Sequence, residues 1–108
     1  MRNFKREIEN LKEGIARRFH PKAIVVFGSC AAGTATEKSD IDLCVIIETD
    51  NKRKLNGVMS EYIYAEDGLD FDQPVDLLIY TPEEWDKHVK TPGSFANLIE
   101  KKGEMIYG

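Results

Sequence analysis

The sequence predicts a small α/β domain: a mixed sheet of three or four strands with helices packed on it. Two observations carry this. Short β-branched apolar runs at 23–27, 41–47 and 75–80 alternate with segments whose apolar residues recur at helical spacing. Alternation of this kind builds a sheet covered by helices rather than a bundle or an all-β sandwich. The length of 108 residues fits one domain, 1–108, with a modest core, and no linker, repeat or low-complexity stretch divides it.

Each element has its own signal. Phe4, Ile8, Leu11, Ile15 and Phe19 form one face of a first helix, with Asn3 as its cap and His20-Pro21 at its end. Ala23 to Phe27 is a strand that stops at Gly28, and Ser29 to Ala35 is a small-residue loop entering a short helix. Ile41 to Ile47 is the clearest strand, and its apolar stretch predicts burial on both faces. After the polar and basic Asn51–Lys54, residues Leu55, Val58, Met59, Tyr62 and Ile63 repeat at helical spacing, with Gly68 at or beyond the end. Val75 to Tyr80 is a third strand. Thr81-Pro82-Glu83-Glu84 opens a helix with a capping box and proline at its first position. Ser94 caps a last short helix that Gly103 stops, and Glu104 to Tyr107 reads as an edge strand.

Composition excludes several function classes. A net charge of −4, from 19 acidic and 15 basic residues, lacks the basic footprint of non-specific nucleic-acid binding. The charged N-terminus has no signal-peptide core, and no apolar run has membrane-span length. Cys30 and Cys44 then read as reduced thiols of a cytoplasmic protein, and without a Cys-x-x-Cys pair they argue against zinc. His20 and His88 lack metal-ligand spacing. The scatter Asp67, Asp70, Asp72, Asp76 fails as a calcium loop, since its sixth position is Asp72 and not glycine; Asp70 and Asp72 read as a solvated loop or an active-site rim. Trp85 reads as a packing anchor and Cys30 as a small neutral filler.

Three features carry chemistry. Gly28-Ser29 follows a strand, where glycine allows close backbone approach to a ligand and successive N–H groups favour an anion; alone it is more often a plain turn. Asp40 and Asp42 bracket Ile41, so on a strand their carboxylates share a face. Their repulsion is relieved by a hard divalent cation with oxygen ligands; alone they are a turn residue and an exposed strand position. Asp76 lies within Val75-Asp76-Leu77-Leu78-Ile79, where a carboxylate needs a partner or a metal, or else marks an edge strand. Together they bring phosphate, metal and three carboxylates to one site, the equipment for phosphoryl or nucleotidyl transfer.

Gly28-Ser29, ten residues, then Asp40-Ile41-Asp42-Leu43, with Asp76 on a later strand, resembles the signature of the DNA polymerase β-like nucleotidyltransferase superfamily. The chain is similar over nearly its whole length to the minimal nucleotidyltransferases often encoded beside a HEPN-domain protein. The resemblance implies that Gly28 and Ser29 contact nucleotide phosphates. It implies that Asp40 and Asp42 hold Mg²⁺, two ions in all, and that Asp76 completes the catalytic metal site. ATP or another nucleoside triphosphate is the implied substrate. The implied acceptor is a hydroxyl on a HEPN partner, with the protein acting as antitoxin; a non-catalytic antitoxin or a nucleotide sensor stands as the alternative, and self-assembly is left open. One departure stands out. Where many relatives carry arginine after Gly-Ser, this chain has Cys30-Ala31-Ala32-Gly33, and the next basic residues are Lys38 and then Lys52, Arg53 and Lys54. That trio reads first as a solvated basic turn and second as a compensating phosphate clamp.

Overall fold

The strand beginning at Ile41 becomes the spine of the molecule because both of its faces are apolar. In the computed structural model, residues 4–36, 39–65, 67–69, 71 and 73–108 are described. The elements run α1 (Lys5–Phe19), β1 (Ala23–Phe27), α2 (Ser29–Ala32), β2 (Ile41–Ile46), α3 (Lys52–Tyr64), β3 (Val75–Tyr80), α4 (Pro82–Val89), α5 (Phe95–Lys102) and β4 (Glu104–Tyr107). Their order matches the sequence expectation throughout. The four strands form one sheet in the order β3-β2-β1-β4, with β2 and β3 parallel and the other pairs antiparallel.

Side-chain alternation divides the core in two. Ile41, Leu43 and Val45 of β2 join Ile24 and Val26 of β1 on one face, under Leu11 and Ile15 of α1 and Met59 and Ile63 of α3. Cys44 and Ile46 join Ala23 and Val25 on the other face, against Trp85 of α4 and Ala96 and Ile99 of α5. With helices on both sides, β2 is buried on both faces, as its composition predicts. Trp85 packs edge-on against Tyr80, with ring centroids 5.5 Å apart, and so anchors α4 to the sheet.

The ends of the helices follow side-chain chemistry. Thr81 Oγ1 accepts from Glu84 N at 3.2 Å while Glu84 Oε1 accepts from Thr81 N at 3.0 Å, completing the capping box. Ser94 caps α5 by accepting from Asn97 N, and Asn97 Nδ2 donates to Val89 O, which ties α5 to α4. Two boundaries differ from expectation. The proposed cap Asn3 lies outside the described residues; Phe4 occupies the cap position, buried, and makes no side-chain cap bond. The third helix begins at Lys52, ahead of its apolar stripe, because Asn51 Oδ1 accepts from Lys54 N at 3.0 Å and starts the first turn in polar sequence.

α3 also finishes the outer edge of β3. Asn56 Nδ2 donates to Leu77 O at 3.0 Å, and the Tyr64 hydroxyl accepts from Val75 N at 2.7 Å and donates to Gln73 O at 3.1 Å. Backbone groups that would otherwise face water are thereby satisfied.

Candidate active site

Strand register assembles the site. Asp42 is the second residue of β2 and lies on the face covered by α4 and α5. In the parallel pairing Asp42 stands directly beside Asp76 of β3, and in the antiparallel pairing it stands beside Phe27 of β1. Two carboxylates on neighbouring strands, about 5 Å apart, repel by ~1 kcal/mol in water and ~3 kcal/mol at a partly buried position. Asp42 carries the consequence: its carboxyl is held above the usual range, first by burial, then by the charges of Asp76 and Asp40. Asp40 precedes β2 and is exposed. The three acids therefore form one electrostatic unit with Asp42 at its centre.

Gly28 closes the site from above. It has φ 73° and ψ −151°, a conformation open to glycine and strained for other residues. A Cβ built there collides with Asp42 Oδ2 and stands 3.1 Å from the carboxyl carbon. The end of β1 thus lies against the Asp42 carboxylate only because residue 28 has no side chain. The half-buried Ser29 opens the single turn of α2, which is bonded from Ala32 N to Gly28 O at 3.0 Å and ends at Gly33 in the left-handed region. The Cys30 thiol, 3.7 Å from Asp40 O, is pushed up by burial and by Asp42, and it stays neutral as a filler would.

The donor set suits a hard divalent cation: carboxylate oxygens, unpaired with any cation among the described residues, on a centre that already resists ionisation. No three acidic, histidine or cysteine groups among the described residues are gathered tightly enough to ligate one ion without side-chain rotation. Asp40 and Asp76 are exposed and have the freedom to rotate. Of the two readings open for Asp76, its position is the edge-strand one: β3 is an edge strand and position 76 opens onto solvent at its start, with no cation paired to it among the described residues.

A second wall was missed by sequence reasoning. α5 faces the aspartates across a cleft of ≈ 540 Å³, to which it contributes Phe95, Leu98, Ile99 and Lys102. Phe95 meets Phe27 edge-on at 5.7 Å. The available signal was an amphipathic helix with two apolar residues beyond what the core uses: Phe95 and Leu98 remain 52% and 48% exposed. The basic turn Lys52–Lys54 lies elsewhere. Lys52 pairs with Glu84 at 2.8 Å, just past the end of β3, whereas Asp76 is near its beginning. Four residues of strand separate the two ends by roughly 13 Å. The exposed Asp67 lines a different depression with Arg18 and Tyr62, and Lys38, Asp70 and Asp72 lie outside the described residues.

No helix among the described residues is long and apolar enough to cross a membrane. No curated protein was found to match the chain. A family model described as the nucleotidyltransferase domain matches residues 8–102, from α1 to the last turn of α5, and so takes in every residue of the site. The mixed four-stranded sheet with its helices agrees with that fold. The chain belongs to the nucleotidyltransferase domain family, within the polymerase β-like superfamily, whose general activity is nucleotidyl transfer.

Proposed function

We propose that the protein transfers a nucleoside monophosphate, AMP from ATP, to a hydroxyl on a partner protein, with Mg²⁺ as cofactor. The observation that carries this reading is the Asp42–Asp76 pair, set side by side by strand register and closed over by Gly28. Asp40 and Asp42 would hold Mg²⁺ together with Asp76. Mg²⁺, when bound, neutralises the triphosphate and lowers the pKa of the attacking hydroxyl.

The chain's own residues supply the rest. Gly28, lacking a side chain, lets the end of β1 lie against the Asp42 carboxylate, and Ser29 offers a hydroxyl at the start of α2. Phe27, Phe95 and Leu98 give the cleft an apolar wall. The hydroxyl oxygen attacks the α-phosphorus, the α–β phosphoanhydride bond breaks, and pyrophosphate leaves. The acceptor's proton passes to the exposed carboxylate of Asp76. The partner we propose is a HEPN-domain protein whose toxicity is cancelled by the modification, with the reaction in the cytoplasm.

The test is co-expression with the neighbouring gene's product, followed by intact mass of that product. A gain of one nucleotide mass that disappears with Asp42→Ala or Asp76→Ala supports the reading. An unmodified partner in the presence of every nucleoside triphosphate refutes it.

A second reading has one observation in its favour: the loop after Gly28-Ser29 is Cys30-Ala31-Ala32, with no cation. In that reading the protein neutralises its partner by covering it, or senses nucleotide without turnover. Alanine at Asp40, Asp42 and Asp76 together separates the cases, since a covering protein neutralises as well as before.

A further inference from the structure

A triphosphate carries several negative charges into a cleft that already holds Asp42 and Asp76. The Gly28-Ser29 loop offers no basic side chain to offset them. Lys52 is committed to Glu84 past the far end of β3, and Lys52 and Arg53 line a separate depression along Leu77–Ile79 rather than the aspartate cleft. Among the described residues that line the aspartate cleft, Lys102 alone is basic. It is the last residue of α5, is exposed, and makes no ion pair among the described residues. Gly28 and Ala32, at the ends of α2's single turn, line the same cleft.

We infer that Lys102 is the triphosphate-binding cation of this protein, supplying from α5 the positive charge that the Gly28-Ser29 loop lacks. The inference rests on the nucleotide-binding reading above and adds to it a specific residue and a specific part of the substrate. An ammonium is suited to the task, because it acts as a mobile point charge on phosphate without needing a planar partner. Placement on α5 also makes the charge conditional on the fold: Asn97 ties that helix to α4, and Ile99 seats it in the core.

The competing role for Lys102 is electrostatic, at the C-terminal end of a helix, where cations are favoured. Lys101 has that position too, on the same last turn, but does not line the cleft. It is therefore the internal control. The experiment is calorimetric titration of the full chain, in Mg²⁺, with α,β-methylene-ATP, whose α–β bridge resists cleavage, and with AMP.

Lys102→Ala should weaken the triphosphate analogue about tenfold, the loss of one charge-assisted contact. It should leave AMP within about twofold, and Lys102→Arg should restore most of the affinity. Lys101→Ala should match the wild type for both ligands. Equal analogue affinity in wild type and Lys102→Ala overturns the assignment and leaves nucleotide binding intact. Equal weakening by Lys101→Ala and Lys102→Ala also overturns it, in favour of general charge. A wild-type protein that binds no nucleoside triphosphate overturns the nucleotide-binding reading, and this assignment with it.

Discussion

Replacing Gly28 with alanine separates the two constraints that meet at that residue. The first is the backbone: φ 73° with ψ −151° costs a non-glycine residue about 1–3 kcal/mol. The second is the Asp42 carboxylate, with which a Cβ at position 28 collides. Turning that carboxylate aside into a poorer rotamer adds about 0.5–1.5 kcal/mol. The expected total is ~2–4 kcal/mol, a large share of the ~5–15 kcal/mol that holds a domain together. At about 4 °C per kcal/mol for a domain of this size, the melting temperature should fall by ~8–16 °C. Thermal and urea unfolding of four proteins would measure it: wild type, Gly28→Ala, Asp42→Ala and the double variant. In the Asp42→Ala background the collision is gone and only the backbone cost remains, so the two substitutions should couple by ~1 kcal/mol. The reasoning fails if Gly28→Ala melts within about 2 °C of wild type. It fails equally if its cost is the same in both backgrounds, within the ~0.3 kcal/mol expected of independent sites.

Two further outcomes follow from titrating groups. Asp42 has a folded pKa above its ordinary 3.8, so the folded state holds the proton more tightly than the unfolded state does. The ionised carboxylate therefore destabilises the metal-free fold above the raised pKa; this penalty fades as pH falls through it and is gone below 3.8. Asp42→Asn should accordingly be more stable than metal-free wild type at neutral pH, with the gap closing on acidification, and 10 mM Mg²⁺ should raise the melting temperature of wild type but not of the variant (about 10 mM being ample for a weak hard-ion site). Cys44 is fully buried and its thiol is pushed up to about 12, so at pH 8 it should resist thiol reagents in the native protein and react at once in urea. Rapid native labelling of Cys44, mapped by peptide mass, would contradict the burial of the β2 face it occupies.

The elements were legible because each has a local cause: β-branched runs for the strands, apolar stripes for α1 and α3, and the Thr81 capping box for α4. The start of α3 was obscured because Asn51 initiates it through a side-chain bond in a polar stretch, where hydrophobic spacing is silent. Strand order was beyond reach for a different reason. That β2 and β3 run parallel, with Asp42 level with Asp76, depends on where α3 returns the chain, and no single residue records that. The aspartates and Gly28-Ser29 could be named from sequence because they are chemically conspicuous. Phe95, Leu98 and Lys102 could not, because on paper α5 is an ordinary amphipathic helix and only its packing over the sheet turns it toward the acids.

The finishing of β3 by α3 has a consequence for how molecules of this protein behave together. An edge strand with open backbone groups is a template on which another chain can add a strand, and that route leads to aggregation. On β3, Asn56 occupies the carbonyl of Leu77 and Tyr64 occupies the amide of Val75, while Asp76 adds a charge between them. A strand docking here would have to displace two side-chain bonds and approach a negative charge. Strand addition along this edge, beside the carboxylates, is thereby disfavoured.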